Sequence, residues 1–212
     1  TLCSLWEEQS EHDEKQSPEA LQTRFLQPLL EALGWYPEPL NGSTTRDPKG
    51  DHSRSRWALY SDEDARQSAR YTSGTLRHAP PASLILNVGL RWNKQSREAA
   101  EFDDLAMDVV ADLMLSGARR GGVTDGRRWR FYSRRWDNPD VGSTAAEFYE
   151  VDLAPIVKAA IAADSIHRDT WTNFRRWWIL WRKETYVSTD QGRAPIEALQ
   201  EQAAVAARDL VE

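Results

Sequence analysis

An α/β or α+β domain, one sheet with flanking helices and a C-terminal helical extension, is the fold class that the sequence predicts. Three observations lead there. Ser83 to Gly89 (SLILNVG) is the most apolar segment of strand length, as a central strand requires. Asp125-Gly126 separates two strand-like segments, a hairpin signal because glycine supplies the positive φ of a tight turn. The elements run as helix, several strands with one helical crossover, then helices, without internal repeat. At 212 residues the chain suffices for one domain, with or without helical extensions, but not for two full-sized cores.

Residues 7–16 (EEQSEHDEKQ) read as a solvated acidic lead-in. Ser17 as N-cap, Pro18 at the first helical position and Glu19 in the first turn predict a helix from Ser17 to Leu33. Leu21, Phe25, Leu29 and Leu33 recur along its apolar face, and Gly34 stops it. Pro37 to Ser53 reads as an irregular connection, and Arg56 to Tyr60 as a short strand. Ser61-Asp62-Glu63-Asp64 opens a helix of about three turns, with acids where the macrodipole favours them. After the SLILNVG strand, a helix is expected roughly over Glu98 to Ser116. The hairpin Gly121–Thr124 and Arg128–Tyr132 follows, then a strand at Glu147–Val151. Helices are expected over Asp152–Ala163, His167–Tyr186 and Pro195–Glu212.

Composition narrows the function. Apolar residues are 40% and charged residues 28%, enough for a packed core and against global disorder. No apolar run reaches the roughly 18 residues of a membrane span, so no membrane partner is expected. Cys3 stands alone, which excludes a disulfide framework and a cysteine zinc site within the sequence. With no signal-peptide pattern near the start, a cytoplasmic location is expected, and a first residue of Thr suggests a processed chain or a fragment. A net charge of −6 argues against indiscriminate nucleic-acid binding but leaves room for a local basic patch.

That patch is present. Arg119, Arg120, Arg127, Arg128, Arg130, Arg134 and Arg135 fall between Arg119 and Trp136 against a single acid, Asp125. Arginines interleaved with aromatics suit phosphate and base contact; pairing with the acidic segments of the chain is the alternative. The ten tryptophans include a second cluster. Trp171, Phe174, Trp178 and Trp181 fall at i, i+3, i+7 and i+10, extended by Trp177, and predict a packing stripe, with a base-stacking ladder as the alternative. The acids Asp62, Glu63, Asp64, Asp47, Asp51, Glu19 and Glu31 read as helix starts, loops and surface, and His12, His52, His78 and His167 show no metal-ligand spacing.

Several segments, in register, resemble one family. TRFLQPLLEALGW (Thr23 to Trp35), RWALYSDEDARQSAR (Arg56 to Arg70), SLILNVGLRWNK (Ser83 to Lys94), GGVTDGRRWRFYSRRW (Gly121 to Trp136), FYEVDLAPIV (Phe148 to Val157) and FRRWWILWRKETY (Phe174 to Tyr186) follow its order. The family is the nuclease-like domain opening type IIG restriction-modification enzymes and the methylases of phage-defence systems such as DISARM. The resemblance implies a PD-(D/E)XK fold, that is, a restriction-endonuclease-like mixed sheet flanked by helices. It implies DNA and a methylase domain as partners, and Mg²⁺ held by carboxylates at the ends of two adjacent strands, beside a lysine. The chain departs from that pattern where the chemistry would be. Ser55-Arg56 replaces the family's P-D before Trp57-Ala58-Leu59, and Val88-Gly89-Leu90-Arg91-Trp92 replaces E-A-K-R-W. Arg56, Val88 and Leu90 thus mark degenerate positions, and no catalytic residue, metal ligand or cofactor is expected. Mg²⁺ enters only if an active endonuclease uses relocated carboxylates; a protein-interaction domain without a DNA role is the third reading. The expected division is a lead-in at 1–16, the endonuclease-like domain at 17–163 and a helical extension or connector at 164–212.

Overall fold

The computed structural model describes residues 3–6, 22–40, 45–46, 52–71, 84–91, 107–113, 118–133, 148–162, 167–188, 192–199 and 201–202. One mixed sheet organises them. Its strands are β1 (Tyr36–Pro39), β2 (Thr45–Arg46), β3 (His52–Tyr60), β4 (Leu84–Arg91), β5 (Arg120–Thr124), β6 (Arg128–Ser133) and β7 (Tyr149–Asp152). They lie in the order β1-β3-β4-β5-β6-β7, with the two-residue β2 also on β3. All pairs are antiparallel except β4 with β5, which run parallel. Parallel neighbours need a crossover, and the helical turns at 107–113 lie within it.

The period of two along each strand assigns the helices to faces. Trp57, Leu59, Leu84, Leu86, Val88, Trp129, Phe131 and Val151 point to the front, into a core shared with Phe25, Leu29, Leu30, Ile156, Trp177 and Trp181. The front is therefore covered by α1 (Gln27–Ala32), α4 (Ala154–Ile161) and α5 (Arg168–Trp181). Ala58, Tyr60, Ile85, Val123 and Tyr132 point to the back. There they meet α2 (Glu63–Tyr71) through Ala65 and Ala69, and α3 (residues 107–113) through Val109 and Leu113. β4 is buried on both faces, which accounts for its continuous apolar sequence.

Most elements lie where the sequence predicts them, and the differences have local causes. The first helix is not regular: Gln22–Leu26 is a π turn that leads into α1. Pro28 has no N–H to give to the preceding turn, so the helix widens before it. The expected cap at Ser17 lies outside the described residues. Gly34, at φ +87°, ends the helix in a conformation that other residues rarely adopt. The stretch expected to be irregular carries β1, whose Pro37 and Pro39 are tolerated on an edge strand. β3 is longer than the expected strand, reaching back to His52. α5 is part of the front layer, because Trp177 and Trp181 lie in the same core as β6. The Trp35 indole N–H donates to the Trp181 carbonyl at 2.6 Å, and the Lys183 N–H to Leu33 O at 2.9 Å, tying the end of α5 to the first helical unit. Among the described residues, no helix is long and apolar enough to cross a membrane.

Candidate functional site

The back of β3 and β4 carries a buried polar group. Arg56 lies directly opposite Asn87, and its guanidinium reaches the Asp112 carboxylate on α3 at 2.8 Å. Asp112 is only 2% exposed. Burial pushes its carboxyl up from the usual range, while the Arg56 charge and hydrogen bond and the neighbouring Asn87 pull it back. Neither amide atom of Asn87, nor Oδ2 of Asp112, meets a partner in good hydrogen-bond geometry. Ser55 points the other way, accepting from Gln22 Nε2 and Trp57 Nε1.

The three positions that the resemblance marks do not fall on one face of the sheet: Arg56 and Val88 point to opposite sides. Arg56 belongs to the back face, whereas Val88, paired with Ser55, is buried in the front core. Leu90 pairs with Ser53, and its side chain lies outside what the structure describes. The residues aligned with Arg56 and Arg54 across the sheet are Asn87 and Gly89, one position away from those the resemblance marks. In either register neither a carboxylate nor a lysine stands on β4 there.

These residues do not fit a divalent cation. Arg56 puts a positive charge on the one carboxylate they include, where an ion would be repelled. Among the described residues, no group of three His, Cys, Asp or Glu side chains could hold a metal. The candidate acids on α2 are engaged locally. Asp62 Oδ1 accepts from the Ala65 N–H at 2.7 Å and so caps the helix, and Glu63 pairs with Arg66. Asp47, Asp51 and Glu19 lie outside the described residues.

The arginine hairpin is also internally engaged. Asp125 Oδ1 accepts from the N–H groups of Arg127 and Arg128, and Gly126, at φ +88°, completes the turn. Arg127 pairs with Asp152, Arg128 with Asp125 at 3.0 Å, and Arg130 with Glu150. The cause is register: Arg128 lies opposite Asp152 and Arg130 opposite Glu150, so β7 sets acids across from the bases of β6. Burial would raise the Asp152 carboxyl, but hydrogen bonds from Arg127 and the Ala154 N–H, and the charges of Arg127 and Arg128, hold it below its ordinary value. Arg119 reaches Glu197 at 3.7 Å, and Arg120 is buried, 5.7 Å from the centre of the Tyr186 ring. Arg134 and Arg135 lie outside the described residues.

α5 presents the contrast. Its buried stripe is not the expected one. Trp177 and Trp181 are 0% and 1% exposed, and Phe174 is half-buried, while Trp171 and Trp178 are 49% and 39% exposed. At about 100° per residue, Trp178 stands a quarter-turn or more away from Trp177, outside the contact with the sheet. Trp181 packs edge-on against Trp129, with centroids 4.7 Å apart, over Gly122. A Cβ on Gly122 would fall on the Trp181 ring and within 2.9 Å of Arg130 O.

The outer face of α5 has its own pattern. Arg168, Trp171, Arg175 and Trp178 follow one another at steps of three and four residues. Such spacing makes one stripe of alternating guanidinium and indole. The Trp171 ring stacks on Phe174 at 5.5 Å and 28°, and Trp178 tilts against Phe174 at 6.2 Å and 34°. Among the described residues no ion pair involves Arg168 or Arg175. The sequence signal for this stripe is Arg175, spaced between Trp171 and Trp178.

Fold and surfaces together define an α/β protein with a mixed sheet between two helical layers, an ion-paired hairpin and an aromatic, cationic helix face. No protein-family model matches the chain, and neither a curated protein nor a solved structure matches it.

Proposed function

We propose that the chain is a restriction-endonuclease-like module without nuclease chemistry, part of a DNA restriction-modification or phage-defence protein, where it contacts DNA or scaffolds a methylase. The observation that carries this reading is the Arg56 group. The resembled family works at two adjacent strands, and the corresponding segments here are the neighbours β3 and β4. On their back face, the Arg56 guanidinium neutralises the buried carboxylate of Asp112 on α3. At Arg56, one position where the resembled family has a carboxylate, the chain carries instead a cation paired with Asp112. An arginine there can still face a phosphate, since its side chain is 38% exposed.

Supercoiled plasmid incubated with the protein and Mg²⁺ or Mn²⁺ tests this. The plasmid should stay intact while the protein binds it with an affinity that falls as salt rises, through counterion release. Metal-dependent cutting that disappears in Asp112→Asn, Asp51→Asn or Asp62→Asn would establish the active-endonuclease alternative instead.

A further inference from the structure

The hairpin holds the chain's densest run of arginines, yet its described members already have partners. Among the described residues, Arg168 and Arg175 on the outer face of α5 have no ion pair, in a protein whose net charge is −6. We infer that the stripe Arg168, Trp171, Arg175 and Trp178 is a binding surface for single-stranded or locally unpaired nucleic acid, with the indoles stacking on bases and the guanidiniums meeting phosphates. This rests on the DNA-contact reading and deepens it by naming the surface and the form of the ligand.

The geometry favours a single strand. Trp171 and Trp178 are seven residues apart, so about 10 Å separates them along the helix axis. Each ring then meets a different base, and a guanidinium lies between and beyond them. The bases of a closed duplex are stacked on one another and offer no open face; an unpaired strand does. The rings are partly pre-ordered, because Phe174 backs both Trp171 and Trp178. That lowers the entropy lost on stacking. An acidic peptide would satisfy the guanidiniums but brings no flat rings to the indoles. A membrane would need a continuous apolar face, whereas here each indole is flanked by a guanidinium.

The test is a fluorescence-anisotropy titration of labelled oligo(dT) with the full chain, at two salt concentrations. The parent is compared with Trp171→Ala/Trp178→Ala and with Arg127→Gln/Arg130→Gln. Melts are run on every variant, and vesicles of phosphatidylcholine and phosphatidylserine serve as a second probe. The parent should bind oligo(dT) more tightly than a duplex of the same length. Removing each indole should weaken binding on the order of tenfold, while lowering the melting midpoint far less than Trp177→Ala does. Neutralising Arg168 and Arg175 should reduce the slope of log K against log salt by about 1.4, at roughly 0.7 per single-strand phosphate. Full oligo(dT) binding by the tryptophan variant, lost instead in the hairpin variant, overturns the inference and leaves the DNA-contact reading standing. A parent that binds neither single nor double strands overturns both. Binding of vesicles in place of oligo(dT), abolished by the tryptophan variant, makes the stripe a lipid surface and also overturns it.

Discussion

The β5-β6 hairpin and the outer face of α5 are both rich in arginine and aromatic residues, yet they use them in opposite ways. In the hairpin, the strand register of β7 puts Glu150 and Asp152 opposite Arg130 and Arg128, and the rings of Trp129 and Phe131 turn inward. The charges cancel locally and the aromatics build the core. On α5 the helical period splits the aromatics, so Trp177 and Trp181 go to the core while Trp171 and Trp178 stay outside with Arg168 and Arg175. Arginine density along a sequence therefore says little about availability. What decides it is the residue that the fold sets opposite each arginine.

The largest expected effect separates the two sides of α5. Trp177→Ala should cost about 3–5 kcal/mol, a large part of a domain's typical stability, because it empties a fully buried site. Trp178→Ala should cost far less, since that ring is 39% exposed. Denaturant melts of both variants beside the parent measure this; equal losses would return Trp178 to the core. Gly122→Ala comes next. The added methyl meets Trp181 and a backbone carbonyl, so roughly 1–3 kcal/mol should be lost by the same measurement.

Changes of that size or smaller concern the paired charges. Arg56→Ala leaves the buried Asp112 carboxylate without its cation and should cost on the order of 1–3 kcal/mol, while Asp112→Asn removes the charge itself and should cost less. In the hairpin, Asp152 has a folded-state pKa below the ordinary carboxylate value of 3.8. A depressed carboxylate stabilises the fold above its unfolded pKa and loses that contribution as pH falls through the folded one. The parent and Asp152→Asn should therefore differ most near neutral pH and converge in acid, as thermal melts across pH would record.

Much of the fold was legible. The apolar SLILNVG segment is the central strand β4, and Asp-Gly marks the hairpin, because burial on both faces and a positive φ leave plain local signals. Asp62 caps α2 as its position suggests. Less legible were features set by distant partners. β1 contains two prolines that only an edge position permits, and being on an edge is a property of the whole sheet. The inward side of α5 depends on Gly122, which leaves the space that Trp181 fills. The facing of Arg56 to Asn87 rather than to Val88 follows from the pairing of β3 with β4, where one residue of shift exchanges the two faces. In the hairpin the arginines were visible, but their acids lie on another strand.

One crossed comparison tests the contrast most directly: unfolding stability and oligo(dT) affinity measured together on Arg127→Gln/Arg130→Gln and on Arg168→Gln/Arg175→Gln. The hairpin variant should lose stability and keep its affinity, because its arginines are held by Asp152 and Glu150. The α5 variant should keep its stability within about 0.5 kcal/mol, as exposed surface changes usually do, and lose affinity with a shallower salt dependence. The reverse pattern, with affinity lost from the hairpin and stability lost from α5, would contradict the division of roles between the two surfaces.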